Sequence, residues 1–546
     1  MSTENTQSTH PVLQISNLSI SLPQGADRPY AAQNIDMQIL PGEILCVVGE
    51  SGSGKSMLTR AILGLLPVPR VQVQSGKIEL DGTDLLSCTP AEMREIRGDR
   101  IGMIFQEPMT ALNPLLTVGR QIDEVLENHR NMNARERREK VVEALDEVQM
   151  PHPSDVYDAY PHQLSGGQRQ RAMIAMALIL SPGLLIADEP TTALDVTTQA
   201  QILSLINTLR KDHGTAVMFI THDFGVVAEI ADHVVVMEKG LVVETGTAKE
   251  VLESPKHSYT QALIAAVPGL KTHTRPLKKS TNDGLAIQGL NKTFVSSGGL
   301  LGKPTRTVEA VKNIDLNVQR GEILGIVGES GSGKSTLARL IIRLIEPDSG
   351  EVLLEGENFL KMNPIRLRNE RHRIQMIFQD PYSTLNPRHK VGRIIAEGPK
   401  LRGCSSTEAT ERTNRLLSLV GLGKEAANRF PHEFSGGQRQ RIGIARALAI
   451  EPDFLLADEP VSALDVSVQK QVLELLLDIR DKFNLAVVFI THDLCVAAQI
   501  CDRVAVMKSG EIVEHGAASD VLNTPQHPYT KTLLSSLPGQ EWLKSR

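Results

Sequence analysis

Apolar and polar positions alternate along Val12-Leu13-Gln14-Ile15, Leu18-Ser19-Ile20-Ser21-Leu22 and Asn34-Ile35-Asp36-Met37-Gln38-Ile39. That period of two predicts strands with one buried face. Pro41-Gly42 then turns the chain into Ile44-Leu45-Cys46-Val47-Val48, which is apolar at every position. Leu184-Leu185-Ile186-Ala187 and Ala216-Val217-Met218-Phe219-Ile220 read the same way, with a helix predicted over Thr197–His213 between them. Strands apolar on both sides, alternating with helices, predict an α/β fold whose parallel sheet is covered on both faces. Ser75–Gly82 predicts a further hairpin strand. The stretch from Ala91 to Ala175 is rich in helix formers and charge, with Ala134–Gln149 its clearest helix.

The second half repeats the pattern. Lys334 lies 279 residues after Lys55, and Gln379 lies 273 after Gln106. Ser435, Glu459, His492 and Tyr529 each lie 270 after Ser165, Glu189, His222 and Tyr259. A nearly constant offset predicts an internal duplication, with the length differences confined to the earlier part of each half. The expected domains are residues 11–270 and 285–546. Lys271–Gly284, with Pro276, Lys278, Lys279, Ser280, Asn282, Asp283 and Gly284, supplies a linker. Met1–His10 reads as a disordered polar tail without the apolar core of a signal peptide.

Composition narrows the class. The 546 residues are 41% hydrophobic and only 3% aromatic, so the cores must be built from Leu, Ile, Val, Ala and Met. A net charge of −6 argues against nucleic acid as the main partner. Five cysteines, with no C-x-x-C pair, predict reduced thiols rather than disulfides or a metal site. No apolar run reaches the roughly 18 residues of a membrane helix, so this chain is not expected to span a membrane itself.

The chemistry sits at strand ends. After Ile44–Val48 comes Gly49-Glu50-Ser51-Gly52-Ser53-Gly54-Lys55-Ser56, which fits G-x-x-x-x-G-K-[ST]. Its glycines let backbone N–H groups converge on an anion at a helix N-terminus, with Met57–Leu63 read as helical. Lys55 is placed to reach β- and γ-phosphates, and Ser56 to hold Mg²⁺. Gly328-Glu329-Ser330-Gly331-Ser332-Gly333-Lys334-Ser335 repeats the loop after Ile323–Val327. Asp188-Glu189 and Asp458-Glu459 close apolar strands, where ligands bind in open α/β sheets. The first acid of each pair is assigned to Mg²⁺ and the second to the attacking water. Gln106 and Gln379, after Ile101–Phe105 and Ile374–Phe378, are candidates to orient water or metal. His222 and His492 each follow the acid pair by 33 residues (222 − 189 and 492 − 459) and are placed to donate to a γ-phosphate. Leu164-Ser165-Gly166-Gly167-Gln168 and Phe434-Ser435-Gly436-Gly437-Gln438 each open a predicted helix, Arg169–Leu180 and Arg439–Ile450. Such a stretch is either a plain N-cap or an anion site. A cap alone does not explain two copies, each between a Gln strand end and an acid pair.

In this order the motifs resemble those of ATP-binding cassette (ABC) ATPases over nearly the whole chain from residue 11, with Ala193-Leu194-Asp195 and Ala463-Leu464-Asp465 included. The resemblance implies two P-loop ABC nucleotide-binding domains, each with a helical subdomain and a β-rich N-terminal part. Within the family, the chain is similar to oligopeptide/dipeptide importers. Phe105-Gln106-Glu107-Pro108-Met109-Thr110-Ala111-Leu112-Asn113-Pro114 and Phe378-Gln379-Asp380-Pro381-Tyr382-Ser383-Thr384-Leu385-Asn386-Pro387 carry that likeness. So do Arg171–Leu178 and the tails Pro255-Lys256-His257-Ser258-Tyr259-Thr260 and Pro525-Gln526-His527-Pro528-Tyr529-Thr530. Two departures stand out: Tyr30 is a candidate adenine stacker whose counterpart is Glu309, and Met176 stands where the second half has Arg446.

The resemblance implies a head-to-tail pairing of the two halves. One site would use Lys55, Ser56, Gln106, Asp188, Glu189 and His222, closed by Ser435–Gln438. The other would use Lys334, Ser335, Gln379, Asp458, Glu459 and His492, closed by Ser165–Gln168. It further implies ATP and Mg²⁺, two membrane permease subunits, an extracytoplasmic solute-binding protein, and a peripheral position on the cytoplasmic face of the inner membrane. The expected function is energising import of peptides or related solutes such as glutathione. The rival expectation is a tandem ABC ATPase acting on ribosomes. The short linker and the tails count against that rival, and the acidic balance and absent zinc-type cysteines count against a DNA-repair role.

Overall fold

The computed structural model describes residues 10–106, 111–191, 194–272, 284–298, 303–380, 384–462 and 464–546. Most of residues 1–10 and of the 271–284 junction, together with Ala193, Ala463, Glu107–Thr110 and Pro381–Ser383, lie outside these. The chain divides into two compact units: Met1–Leu194 with Thr198–Val267, and Asp195–Thr197 with Pro268–Arg546.

The first unit contains a six-stranded sheet in the order Leu241–Thr247, His233–Glu238, Ile44–Val48, Ala216–Ile220, Leu184–Asp188, Ile101–Ile104. Every neighbouring pair in it is parallel except the outermost hairpin, Leu241–Thr247 against His233–Glu238. Ile44–Val48, Leu184–Asp188 and Ala216–Ile220 are buried along their whole length, as uniformly apolar strands covered on both faces must be. A smaller antiparallel sheet runs Tyr30–Ile39, Leu13–Ser21, Gln72–Leu80, Thr83–Asp84. Its inward residues, including Leu13, Ile15, Ile35 and Ile78, join Val47, Leu58 and Ile186 in one core.

The second unit repeats both sheets. Its six strands run Ile374–Ile377, Phe454–Asp458, Ala486–Thr491, Ile323–Val327, Arg503–Lys508, Glu511–Ala517. Its antiparallel sheet runs Lys303–Val318, Leu285–Gly298, Ser349–Leu354, Glu357–Asn358.

Local differences from the sequence expectation have physical causes. The two short strands expected at Val12–Ile15 and Leu18–Leu22 are one strand, Leu13–Ser21. Its ladder is broken between Ile15 and Leu18, where Asn17 takes φ 48°. The helix after the phosphate loop begins at Lys55, not Met57, because Gly54 at φ 111° lets the chain enter the helix directly from the loop. The helix predicted from Arg169 begins at Gly166, since Ser165 is its cap. Val234-Val235-Val236-Met237 is apolar at each position and fully buried. It forms a central strand that the sequence analysis did not single out.

The helix-rich stretch resolves into Pro90–Asp99, Val118–His129, Ala134–Glu147, Pro153–Asp158 and Gly166–Leu178, interrupted by the strand that ends at Ile104. Ala134–Glu147 starts where expected because Asn133 and Glu136 form a reciprocal capping box. Among the described residues, no helix is long and apolar enough to cross a membrane.

Candidate functional site

The phosphate loop of each unit leaves a central strand and enters a helix. Gly49 and Gly328 have φ of 150° and 154°, and a Cβ at either would lie 2.2 Å from the carbonyl oxygen of Met237 or Met507. Only a residue without a side chain lets the loop pass that close to the neighbouring strand. Within the loop Lys55 is buried. Its Nζ donates to the Gly49 and Glu50 carbonyls at 2.6 and 3.0 Å. Lys334 does the same to Gly328 and Glu329, both at 2.7 Å. Burial pulls the Lys334 ammonium below the usual lysine range, against the Glu459 and Asp458 charges that favour it.

Two groups of side chains face each loop. In the first, Ser56 Oγ lies 3.5 Å from Asp188 Oδ1, and Ser335 Oγ lies 3.1 Å from Asp458 Oδ1. Burial pushes both aspartates above the usual carboxylate range, although the serine hydroxyls pull the other way. A dication at that point would reverse the shift, so the hydroxyl and carboxylate suit Mg²⁺. No cluster of three or more His, Cys, Asp or Glu able to hold a metal exists among the described residues.

The second group is built on the glutamates. Gln106 Nε2 donates to Glu189 Oε2 at 2.9 Å, and His222 Nδ1 lies 3.4 Å from Glu189 Oε1. Gln379 and His492 hold Glu459 in the same way, at 2.8 and 3.3 Å. The glutamines were expected near a metal as well as near water. Here their amides are directed to the glutamate. Both glutamates stand one residue past their strand at φ 47° and 45°, with their N–H groups still bonded to Ile220 and Ile490. A non-glycine residue in that left-handed region costs free energy. It turns the carboxylate out of the sheet, towards its Gln and His.

Ser165 and Ser435 are helix N-caps closed by reciprocal bonds with Gln168 and Gln438. The glycines that follow differ in surroundings. A Cβ on Gly167 or Gly437 would collide with Thr198 or Val468, whereas one on Gly166 would meet nothing within 4 Å. Each stretch thus packs its second glycine inward, while the first stands open at Gly166 and in ordinary contact with Leu464 at Gly436.

The structure adds residues that the sequence analysis did not assign. The Arg28 guanidinium donates to the carbonyls of Tyr30 and Gly52, next to the first loop. Phe294, 41% exposed, is adjacent to Thr293, which pairs with Glu309. Arg446 Nη1 donates to the Thr384 carbonyl at 2.6 Å, a bond that a thioether at Met176 cannot make. The tail tyrosines, Tyr259 and Tyr529, accept hydrogen bonds from Glu50 N and Glu329 N at 3.2 and 3.3 Å.

Comparisons with known proteins match both halves of the chain. The ABC transporter family model matches residues 32–192 and 311–462. The model of the oligopeptide/dipeptide transporter C-terminal region matches 243–294 and 513–544. The peptidoglycan transport ATP-binding protein YejF of Agrobacterium fabrum (strain C58) is 46% identical, across 97% of this chain and 96% of its own. The glutathione import ATP-binding protein GsiA of Escherichia coli O157:H7 is 46% identical, across 98% of this chain and 91% of its own. A solved dimeric, post-hydrolysis ATP-binding cassette bound to ADP and Pi aligns at 30% identity. It covers 43% of this chain and 98% of that one, with a TM-score of 0.39.

Proposed function

This chain belongs to the ABC transporter family, and on that premise we propose that its two ATPase units energise import of peptides or peptide-like solutes through separate membrane permease subunits. The observation that carries the peptide reading is the importer-type C-terminal region, present at the end of both units. The two relatives named above, one for peptidoglycan transport and one for glutathione import, support a peptide-like cargo. Neither of these two relatives is named for a ribosomal role. The solute-binding partner and the place on the cytoplasmic face of the membrane follow from the same reading.

The residues divide the reaction between them. Lys55 and Lys334 leave their loop carbonyls for the β- and γ-phosphates of ATP. Ser56 with Asp188, and Ser335 with Asp458, would hold Mg²⁺, which when bound neutralises charge on those phosphates. Glu189 and Glu459 orient the attacking water and take its proton. As the water oxygen bonds to the γ-phosphorus, the bridging β–γ bond breaks and ADP and phosphate result. Gln106 and Gln379 steady the glutamates from one side. His222 and His492 hold them from the other and keep a second ring nitrogen for the γ-phosphate.

Each unit supplies one loop, and Ser435–Gln438 or Ser165–Gln168 of the other unit closes it. Charge stabilisation at the γ-phosphate is then complete only when the units meet. Tyr30, and Phe294 in the second unit, are the aromatics offered to adenine.

The test is a Glu189→Gln/Glu459→Gln double variant isolated from membranes with ATP. Copurification of integral-membrane permease subunits in the ATP-trapped state is expected. Copurification of ribosomes with no permease would overturn the importer reading.

A further inference from the structure

The ends of the two units reach back to the phosphate loops. Tyr259 lies in the helix Ser258–Ala266 and Tyr529 in the helix Pro528–Ser535. Each hydroxyl accepts from the N–H of the loop's second residue, Glu50 or Glu329. The carbonyl at the other end of the same peptide unit, Gly49 or Gly328, accepts from the loop lysine at 2.6 or 2.7 Å. One peptide plane is therefore held at both poles, by Lys55 and Tyr259 in one unit and by Lys334 and Tyr529 in the other. That plane starts at the glycine whose φ of about 150° no other residue adopts without collision.

The tyrosine is itself set in place. Glu244 accepts from Lys256 N and His257 N at 2.7 and 3.0 Å, and His257 Nδ1 accepts from Tyr259 N. Glu514 and His527 repeat these bonds around Gln526 and Tyr529. In the second unit Lys508 Nζ also lies 4.6 Å from the centre of the Tyr529 ring. The same chain of bonds, from outer-hairpin strand to tail to loop, occurs in both units although Ser258 is replaced by Pro528.

We propose that Tyr259 and Tyr529 are positioning residues for nucleotide binding, holding the Gly49–Glu50 and Gly328–Glu329 peptides in place when the loop lysine transfers to the phosphates. In the structure the lysine holds those carbonyls. It cannot hold them and the β/γ-phosphates fully at once, because its ammonium has three donors. The tyrosine bond does not compete with the nucleotide, since it uses an N–H at the start of the loop. It keeps the flexible glycine hinge in the binding conformation and lowers the ordering cost of binding. The tail thereby reports to the nucleotide site, and a displacement of the tail lowers affinity for ATP at that unit. This inference rests on the assignment of both loops to ATP.

The experiment compares Tyr259→Phe/Tyr529→Phe with the unaltered full chain. Phenylalanine keeps the ring and removes the hydroxyl, which accepts from the Glu50 or Glu329 N–H and in Tyr529 also bonds the Glu329 side chain. KM for MgATP is expected to rise about 5- to 10-fold, the size of one lost hydrogen bond per site, with kcat within about twofold. MgATP affinity measured by calorimetry on the Glu189→Gln/Glu459→Gln background should fall by the same factor. A lowered melting temperature with unchanged KM and affinity would make the tyrosines merely structural and overturn the proposal. Lys55→Ala/Lys334→Ala serves as the control. If that variant binds MgATP normally, the loop assignment itself fails. If it loses binding while the phenylalanine variant is unaffected, only the tyrosine role fails.

Discussion

At the scale of single residues, the second site holds a coupled pair with a defined pH dependence. Burial opposes charge on His492, but the hydrogen bond and negative charge of Glu459 outweigh it and raise the imidazole above its ordinary value. Glu459 is correspondingly held low: burial opposes its charge, and His492 outweighs burial. A raised histidine stabilises the folded state fully below its unfolded value of about 6.5, and that contribution fades as pH rises through the folded value. The depressed glutamate contributes above its unfolded value of about 4.3 and loses that contribution as pH falls through its folded value. His492→Gln should therefore flatten the decline in stability on the alkaline side of pH 6.5, measured by urea unfolding at a series of pH values. An unchanged slope would show that the pair does not titrate as described.

The loop lysines give a second prediction at this scale. Lys55 and Lys334 donate hydrogen bonds within their own loops, so far-ultraviolet dichroism of Lys55→Ala/Lys334→Ala should be preserved while ATPase activity is abolished. Retained turnover would discard the site assignment.

At the scale of elements, the signature stretches separate two readings that the sequence left side by side. Ser165 and Ser435 are caps, and a cap is worth about 1 kcal/mol. Asparagine caps a helix about as well as serine but presents a different group to an anion. Ser165→Asn/Ser435→Asn should leave stability within about 0.5 kcal/mol, yet lower ATPase activity by roughly 10²-fold, the scale of a lost charge-stabilising donor. Steady-state turnover at saturating ATP checks this, and wild-type turnover would reduce both serines to caps.

The strands carrying the site were readable as elements because each is apolar at every position, the pattern of a doubly covered strand. Asn17 was not readable: its left-handed backbone answers to its place between two partner strands, so one bulged strand read as two. Ser165 shifted a helix start because its capping bond lies in the first turn, before any apolar period begins.

At the scale of the molecule, the duplication gives each unit its own sheets and its own apolar core. Residues 1–267 and 268–546 produced separately should each unfold cooperatively. On the head-to-tail reading, each alone should have little ATPase activity, and mixing should restore it. Full activity in a separated unit at concentrations where it is monomeric would refute shared sites. The asymmetries between units, Met176 against Arg446 and Tyr30 against Glu309, sit on a common framework and leave both acid pairs intact.

The motif residues themselves were determined by sequence alone. Phosphate chemistry needs a Gly-rich turn, a lysine and a hydroxyl at fixed spacing, and that need is written in consecutive positions. Partners chosen by long-range folding were another matter. That Gln106 and Gln379 bond the glutamates, that Glu189 and Glu459 sit in left-handed backbone, and that Tyr259 and Tyr529 meet loops some 200 residues earlier all depend on strand order. Only the tertiary structure decided them, because sheet topology brings together side chains whose spacing in the chain carries no local signal.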